Sequence, residues 1–121
     1  MKALSLMQPW PWAIFMLGKD IENRGKATGI RGRVLIHASK TFDYEGARWI
    51  EETFGMKVPK AHNLKKGGIV GTVEIVDCVT KSDSKWFSGP KGYVLKDAKE
   101  CEFIPYRGMP GFFEVNQGEG S

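Results

Sequence analysis

Residues 69–79, IVGTVEIVDCV, form the longest β-like run of the chain, rich in β-branched residues and without proline. A run of that kind must be paired on both edges, so it predicts a central strand and makes a sheet the framework of the fold. Gly71 within it marks a bulge or a point of close packing. Shorter strands are expected at residues 3–6, at 20–24, at 34–39 (VLIHAS), at 92–95 (GYVL) and at 111–115 (GFFEV). A loop containing Pro105, Gly108 and Pro110 separates the last two.

Two helices interrupt this pattern. Pro9 and Pro11 suit a first helical turn, where a missing N–H costs little; Trp10, Ala13, Ile14 and Leu17 then form one apolar face, and Gly18 suits a left-handed C-cap. Residues 44–54 form the second helix. Its face is Ala47, Ile50 and Phe54, and Asp43 and Gly55 supply its caps. Five or six short strands with two helices predict an α+β fold on a curled sheet or small β-barrel.

With 121 residues the chain allows one ordinary domain, expected over residues 1–116, with a flexible Gly-rich tail at 117–121. No apolar stretch approaches a membrane span, and Gln8, Pro9 and Pro11 break the N-terminal apolar run, so a cytoplasmic protein is expected. Cys78 and Cys101 stand alone, outside any metal-ligand spacing. The sequence leaves a single disulfide between them open, but in a reducing compartment they read as small buried groups, with no metal and no cofactor implied. Eighteen Lys plus Arg against fourteen Asp plus Glu give a net charge of +4, a mild basic bias compatible with a nucleic-acid partner.

Lys19, Glu22 and Arg24 concentrate charge where the chain leaves the first helix. In an extended segment Glu22 and Arg24 share one side, and Lys19 projects from the turn. The residues alone leave two readings open: a mixed-charge ligand cleft, or a helix-end lysine paired to Glu22 with Arg24 solvated. Trp10 shares the apolar face and reads as core, leaving Trp12 as the candidate to stack on a base. Gln8 either reads a base edge or caps the helix. His37 alternates with Val34, Ile36 and Ala38, so it projects to the opposite face, with Lys40 beyond it. Lysines 57, 60, 65 and 66, with Arg31 and Arg33, read as solvated charge or as loops guiding a phosphate backbone.

The order of these segments carries a resemblance. An opening strand, Gln-Pro-Trp at the helix start, Gly-Lys-x-x-Glu-x-Arg at its exit, and Arg-Gly before a strand ending Ile-His-Ala-Ser-Lys together resemble the ASCH domain family. The GxxxGxVxIxDxV strand from Gly67 to Val79, Trp86, GYVL and the closing Pro-x-x-Gly-Phe-Phe-x-Val extend the match over nearly the whole chain. The resemblance implies a PUA-like β-barrel, related in fold to RNA-binding PUA domains, with a cleft between the first helix and the barrel.

It further implies that Lys19, Glu22 and Arg24 line that cleft and bind RNA or a modified nucleotide, with Gln8, Trp12, His37 and Lys40 as further ligand contacts and a monomer as the expected state. In that setting Arg24 grips a phosphate, Lys19 supplies a mobile charge and Glu22 accepts from an exocyclic amine. One branch of the family hydrolyses N4-acylated cytidines and some members are described as ribonucleases. On that pattern Lys19 and Glu22 are catalytic and Arg24 steadies oxyanion charge, although that branch has a threonine hydroxyl where this chain has Glu22. A lysine paired to a carboxylate also keeps its proton unless desolvation or a second cation intervenes. ASCH domains within transcription coactivators imply a third role, protein interaction. If Lys19 and Arg24 serve only the cleft, replacing either with alanine should weaken binding and leave folding almost untouched.

Overall fold

The computed structural model describes residues 1–116; the tail read at 117–121 lies outside the described residues. In chain order the elements are β1 (Lys2–Gln8), α1 (Trp10–Met16), β2 (Ile21–Arg24), β3 (Gly32–Phe42), α2 (Tyr44–Phe54), a short 3-10 turn (Ala61–Asn63), β4 (Gly68–Val79), β5 (Lys91–Pro105) and β6 (Phe112–Glu114). All six strands join one sheet in the order β2-β5-β4-β3-β1-β6, so the long apolar run does occupy the centre as β4. β1 and β3 run parallel and the other pairs antiparallel. No helix is long and apolar enough to cross a membrane.

The sheet is open, with β2 and β6 as its edges, yet it curls into a barrel-like form. Side chains bridge the gap between its two ends. Tyr93 of β5 stacks on Phe112 of β6 with ring centroids 5.9 Å apart, and Arg24 Nη2 of β2 donates to Ser5 O of β1 over 3.1 Å. Period-two alternation fills the interior. Leu4, Leu6, Val34, Ile36, Val73 and Ile75 point inward, each contributing ~1.5–3 kcal/mol relative to exposure. Ile14 of α1 packs against them, and Phe15 lies over Gly71, where an added Cβ would come 2.5 Å from the Phe15 ring and from Lys99 O. Gly71 therefore combines both expected roles, since the β4 register also shifts beside it.

β5 is much longer than GYVL. It continues through Lys96–Pro105, where the outer half is almost wholly exposed and charged, so no alternation signals a strand; pairing with β4 holds it extended. Cys101 lies on this exposed stretch and Cys78 is half-buried, so the two cysteines are free thiols and are not the buried groups expected.

α2 matches its expected bounds and both caps. Asp43 accepts from Gly46 N at 2.9 Å, and Gly55 closes the helix at φ 65°. A second cluster, Ala13, Ile21, Ile50, Val58 and Trp86, packs the two helices onto β2 and the segment before β5. That junction houses the site.

Candidate functional site

α1 stops at Met16, Gly18 takes φ 68°, and Lys19 N bonds back to Ala13 O at 3.1 Å. This turn sends the Lys19 side chain inward, where it is 2% exposed. Its Nζ donates to Glu22 Oε1 at 2.9 Å and to Ile21 O, and it lies 5.4 Å from the centre of the Trp10 ring. Glu22, 12% exposed, places its other oxygen 3.4 Å from Arg24 Nε. Glu22 and Arg24 thus share a face, as period two requires. Arg24 faces Glu22 through charge alone, its buried Nε making no hydrogen bond, and its Nη2 donates to the Ser5 carbonyl.

Four aromatic rings surround this pair. Trp10, Trp49, Trp86 and Phe87, with Lys19, Glu22, Asn23 and Ser88, line a cavity of about 400 Å³. That is the size range in which small ligands are held, with apolar walls and a few polar groups. Each wall is fixed from behind. Trp10 Nε1 donates to Asp43 Oδ2 at 2.9 Å, so the residue that caps α2 also orients the first ring. Trp86 stacks on Phe54 at 4.5 Å and meets Trp49 at 5.8 Å. Asn23 donates to Trp86 O at 2.8 Å and accepts from Ser88 N and Gly89 N, which ties the 86–89 segment to the edge strand β2. One cation and one carboxylate make the floor close to neutral, which favours an uncharged, planar, hydrogen-bonding group over a phosphate.

The other sequence candidates lie elsewhere. Gln8 is buried between the backbones of two segments: its Oε1 accepts from Trp12 N at 3.1 Å and its Nε2 donates to Lys65 O at 2.9 Å. Of its two readings, the helix-capping one describes these bonds. Trp12 lies beside Gln8, Pro11 and Phe15 in a separate, smaller depression, while Trp10, read as core, faces the aromatic cavity. His37 and Lys40 line a different cleft with Ser5 and Tyr106. Of the basic loop residues, Lys66 donates to Ala61 O and Leu64 O, and Arg31 is held by Thr28 O and Ile30 O. Among the described residues no three His, Cys, Asp or Glu side chains converge to hold a metal ion.

Sequence reasoning named Lys19, Glu22 and Arg24 but missed Asn23, Trp49, Phe87 and Ser88. Trp49 carried one usable signal, a bulky apolar residue beside Ile50 that the face of Ala47, Ile50 and Phe54 does not absorb.

Fold and site together define a PUA-like α+β module with an aromatic pocket at the exit of its first helix. A family model for the ASCH domain matches residues 4–107, and the chain belongs to that family. At the level of the family this is a module of the RNA-binding kind. No curated protein matches the sequence.

Proposed function

We propose that residues 1–116 act as one module that binds a nucleobase of RNA, or a free modified nucleoside, in the aromatic pocket. The observation that carries this reading is the set of indoles Trp10, Trp49 and Trp86 around the buried Lys19–Glu22 pair. Aromatic faces stack on any base, and a base supplies the in-plane donors and acceptors that a carboxylate, an amide and a hydroxyl can meet. Glu22 takes an exocyclic amine, while Asn23 and Ser88 lie within the same wall. Two of the three Lys19 N–H donors are already spent on Ile21 O and Glu22 Oε1 and the ammonium lies over Trp10, so Lys19 serves chiefly to hold Glu22 in place.

The test is incubation of the purified protein with cytidine, N4-acetylcytidine, other nucleosides and short RNAs, followed by mass spectrometry for retained ligand and for product. Retention without turnover, reduced in Trp49→Ala, is the expected result. A deacylated or cleaved product that disappears in Lys19→Ala would move the assignment to a hydrolase with Lys19 and Glu22 as its catalytic pair. If neither retained ligand nor product is seen, the reading falls and protein partners take its place.

A further inference from the structure

A second cleft opens on the outer face of β1 and β3, with a volume of about 940 Å³. At its base lies His37, 2% exposed. Its Nε2 is 2.7 Å from Tyr106 O; a carbonyl only accepts, so Nε2 carries a proton, and in the neutral tautomer Nδ1 accepts from the Ser5 hydroxyl at 3.0 Å. The ring is locked between two strands and the loop after β5. Gly108 of that loop lies against it so closely that an added Cβ would collide with the imidazole.

Around this rigid base the cleft is cationic. Lys40 and Arg107 line it from opposite segments, and neither has an ion-pair or hydrogen-bond partner among the described residues. The Lys40 stem runs along Gly67, whose Cβ, if present, would stand 3.4 Å from Cε. Ser39 also lines the cleft, and its Oγ is buried without a hydrogen-bond partner. No Asp or Glu lines the cleft. Two uncompensated cations lining one cleft without a carboxylate make a site for a multi-oxygen anion, and the guanidinium fork suits phosphate.

We propose that this cleft holds the phosphate group of a nucleotide or of a nucleic-acid strand, between Arg107 and Lys40. The cleft far exceeds a lone phosphate ion, so the phosphate is one part of a larger ligand. Arg24 bridges it to the aromatic pocket, touching Glu22 of the pocket and Ser5 of the cleft. The near-neutral pocket and the cationic cleft divide the work between base and backbone. That division rests on the base-binding reading; the phosphate site does not.

The experiment is an amide chemical-shift titration of the full chain with inorganic phosphate, a nucleoside 5′-monophosphate and a short single-stranded RNA. Ser39, Lys40, Gly67 and Gly108 report the cleft, and Asn23 and Ser88 report the pocket. Saturable shifts at the cleft amides with at least one probe are expected. Arg107→Ala with Lys40→Ala should weaken them about tenfold or more, as loss of charged hydrogen bonds implies. Both side chains are exposed, so the fold survives the change. A response to phosphate or the monophosphate identifies a small-molecule source, and a response to RNA alone identifies the strand backbone. Cleft amides that stay still with all three probes, or shifts unchanged in the double variant, would overturn the proposal. Pocket shifts without cleft shifts would sink this site and leave the base-binding reading standing.

Discussion

Lys19 and Glu22, three residues apart, form an ion pair of 2.9 Å that is withdrawn from solvent on both sides. Breaking such a pair leaves an uncompensated charge in a poorly solvated place, at a cost of about 3–5 kcal/mol, with the lower end expected because Glu22 keeps some contact with the cavity. Lys19→Ala is therefore predicted to lower stability as well as binding, against the expectation from sequence that it would spare the fold. Lys19→Met combined with Glu22→Gln should lose less than the two single variants summed. Urea unfolding of the four proteins measures this coupling, and strict additivity would refute a buried, coupled pair.

Asn23 satisfies three backbone groups of the segment leading into β5. Asn23→Ala should cost about 1–3 kcal/mol and raise hydrogen exchange selectively at Ser88 and Gly89. Uniform protection across residues 86–89 would show that the aromatic packing alone holds this wall.

Gly46 lies in α2, where alanine ordinarily gains about 1 kcal/mol over glycine. Here an added methyl would come 2.5 Å from Trp10 Cζ2 and 2.7 Å from Asp43 Oδ2. The clash wins over propensity, because overpacking costs about 1–3 kcal/mol. Gly46→Ala should destabilise the protein and tilt Trp10, altering tryptophan emission; a more stable variant with unchanged emission would contradict this packing.

Tyr93 donates to Lys26 O at 2.9 Å inside the curled sheet. Burial lifts its hydroxyl above the usual value of 10.0, and Arg24 opposes that only in part. The folded form thus holds the phenol proton more tightly than the unfolded chain. Its contribution is complete below the unfolded value of 10.0 and fades as pH rises from there through the folded value. Denaturation at several pH values should show stability falling above about pH 10, with Tyr93→Phe flattening that fall while losing about 1 kcal/mol for its hydrogen bond. An identical alkaline slope in Tyr93→Phe would assign the effect elsewhere.

Local signals made α2 readable to the residue, since Asp43 and Gly55 mark its ends and Ile50 its buried face. The same holds for the facing of His37, which strict alternation along β3 dictates. The outer half of β5 escaped because a charged, exposed strand has no periodic face to show. The pocket was half legible. Lys19 and Glu22 sit three residues apart and announce themselves, whereas its walls come from positions 10, 49, 86 and 87, brought together only when α2 and the 86–89 segment dock on β2. The roles of the two early tryptophans turned on the entry of α1, where the Asp43 carboxylate draws Trp10 toward the cavity and leaves Trp12 beside Gln8. No sequence spacing encodes that long-range bond.

The most direct measurement of the central claim is a tryptophan-fluorescence titration of the intact protein with N4-acetylcytidine, cytidine and a short single-stranded RNA. Saturable quenching is predicted for at least one of these. Trp49→Ala, on the half-exposed wall of the pocket, should weaken it roughly tenfold, as loss of one stacking face implies. Its circular dichroism should stay unchanged. No saturable change with any of them, or equal affinity in Trp49→Ala, would contradict nucleobase binding in the aromatic pocket.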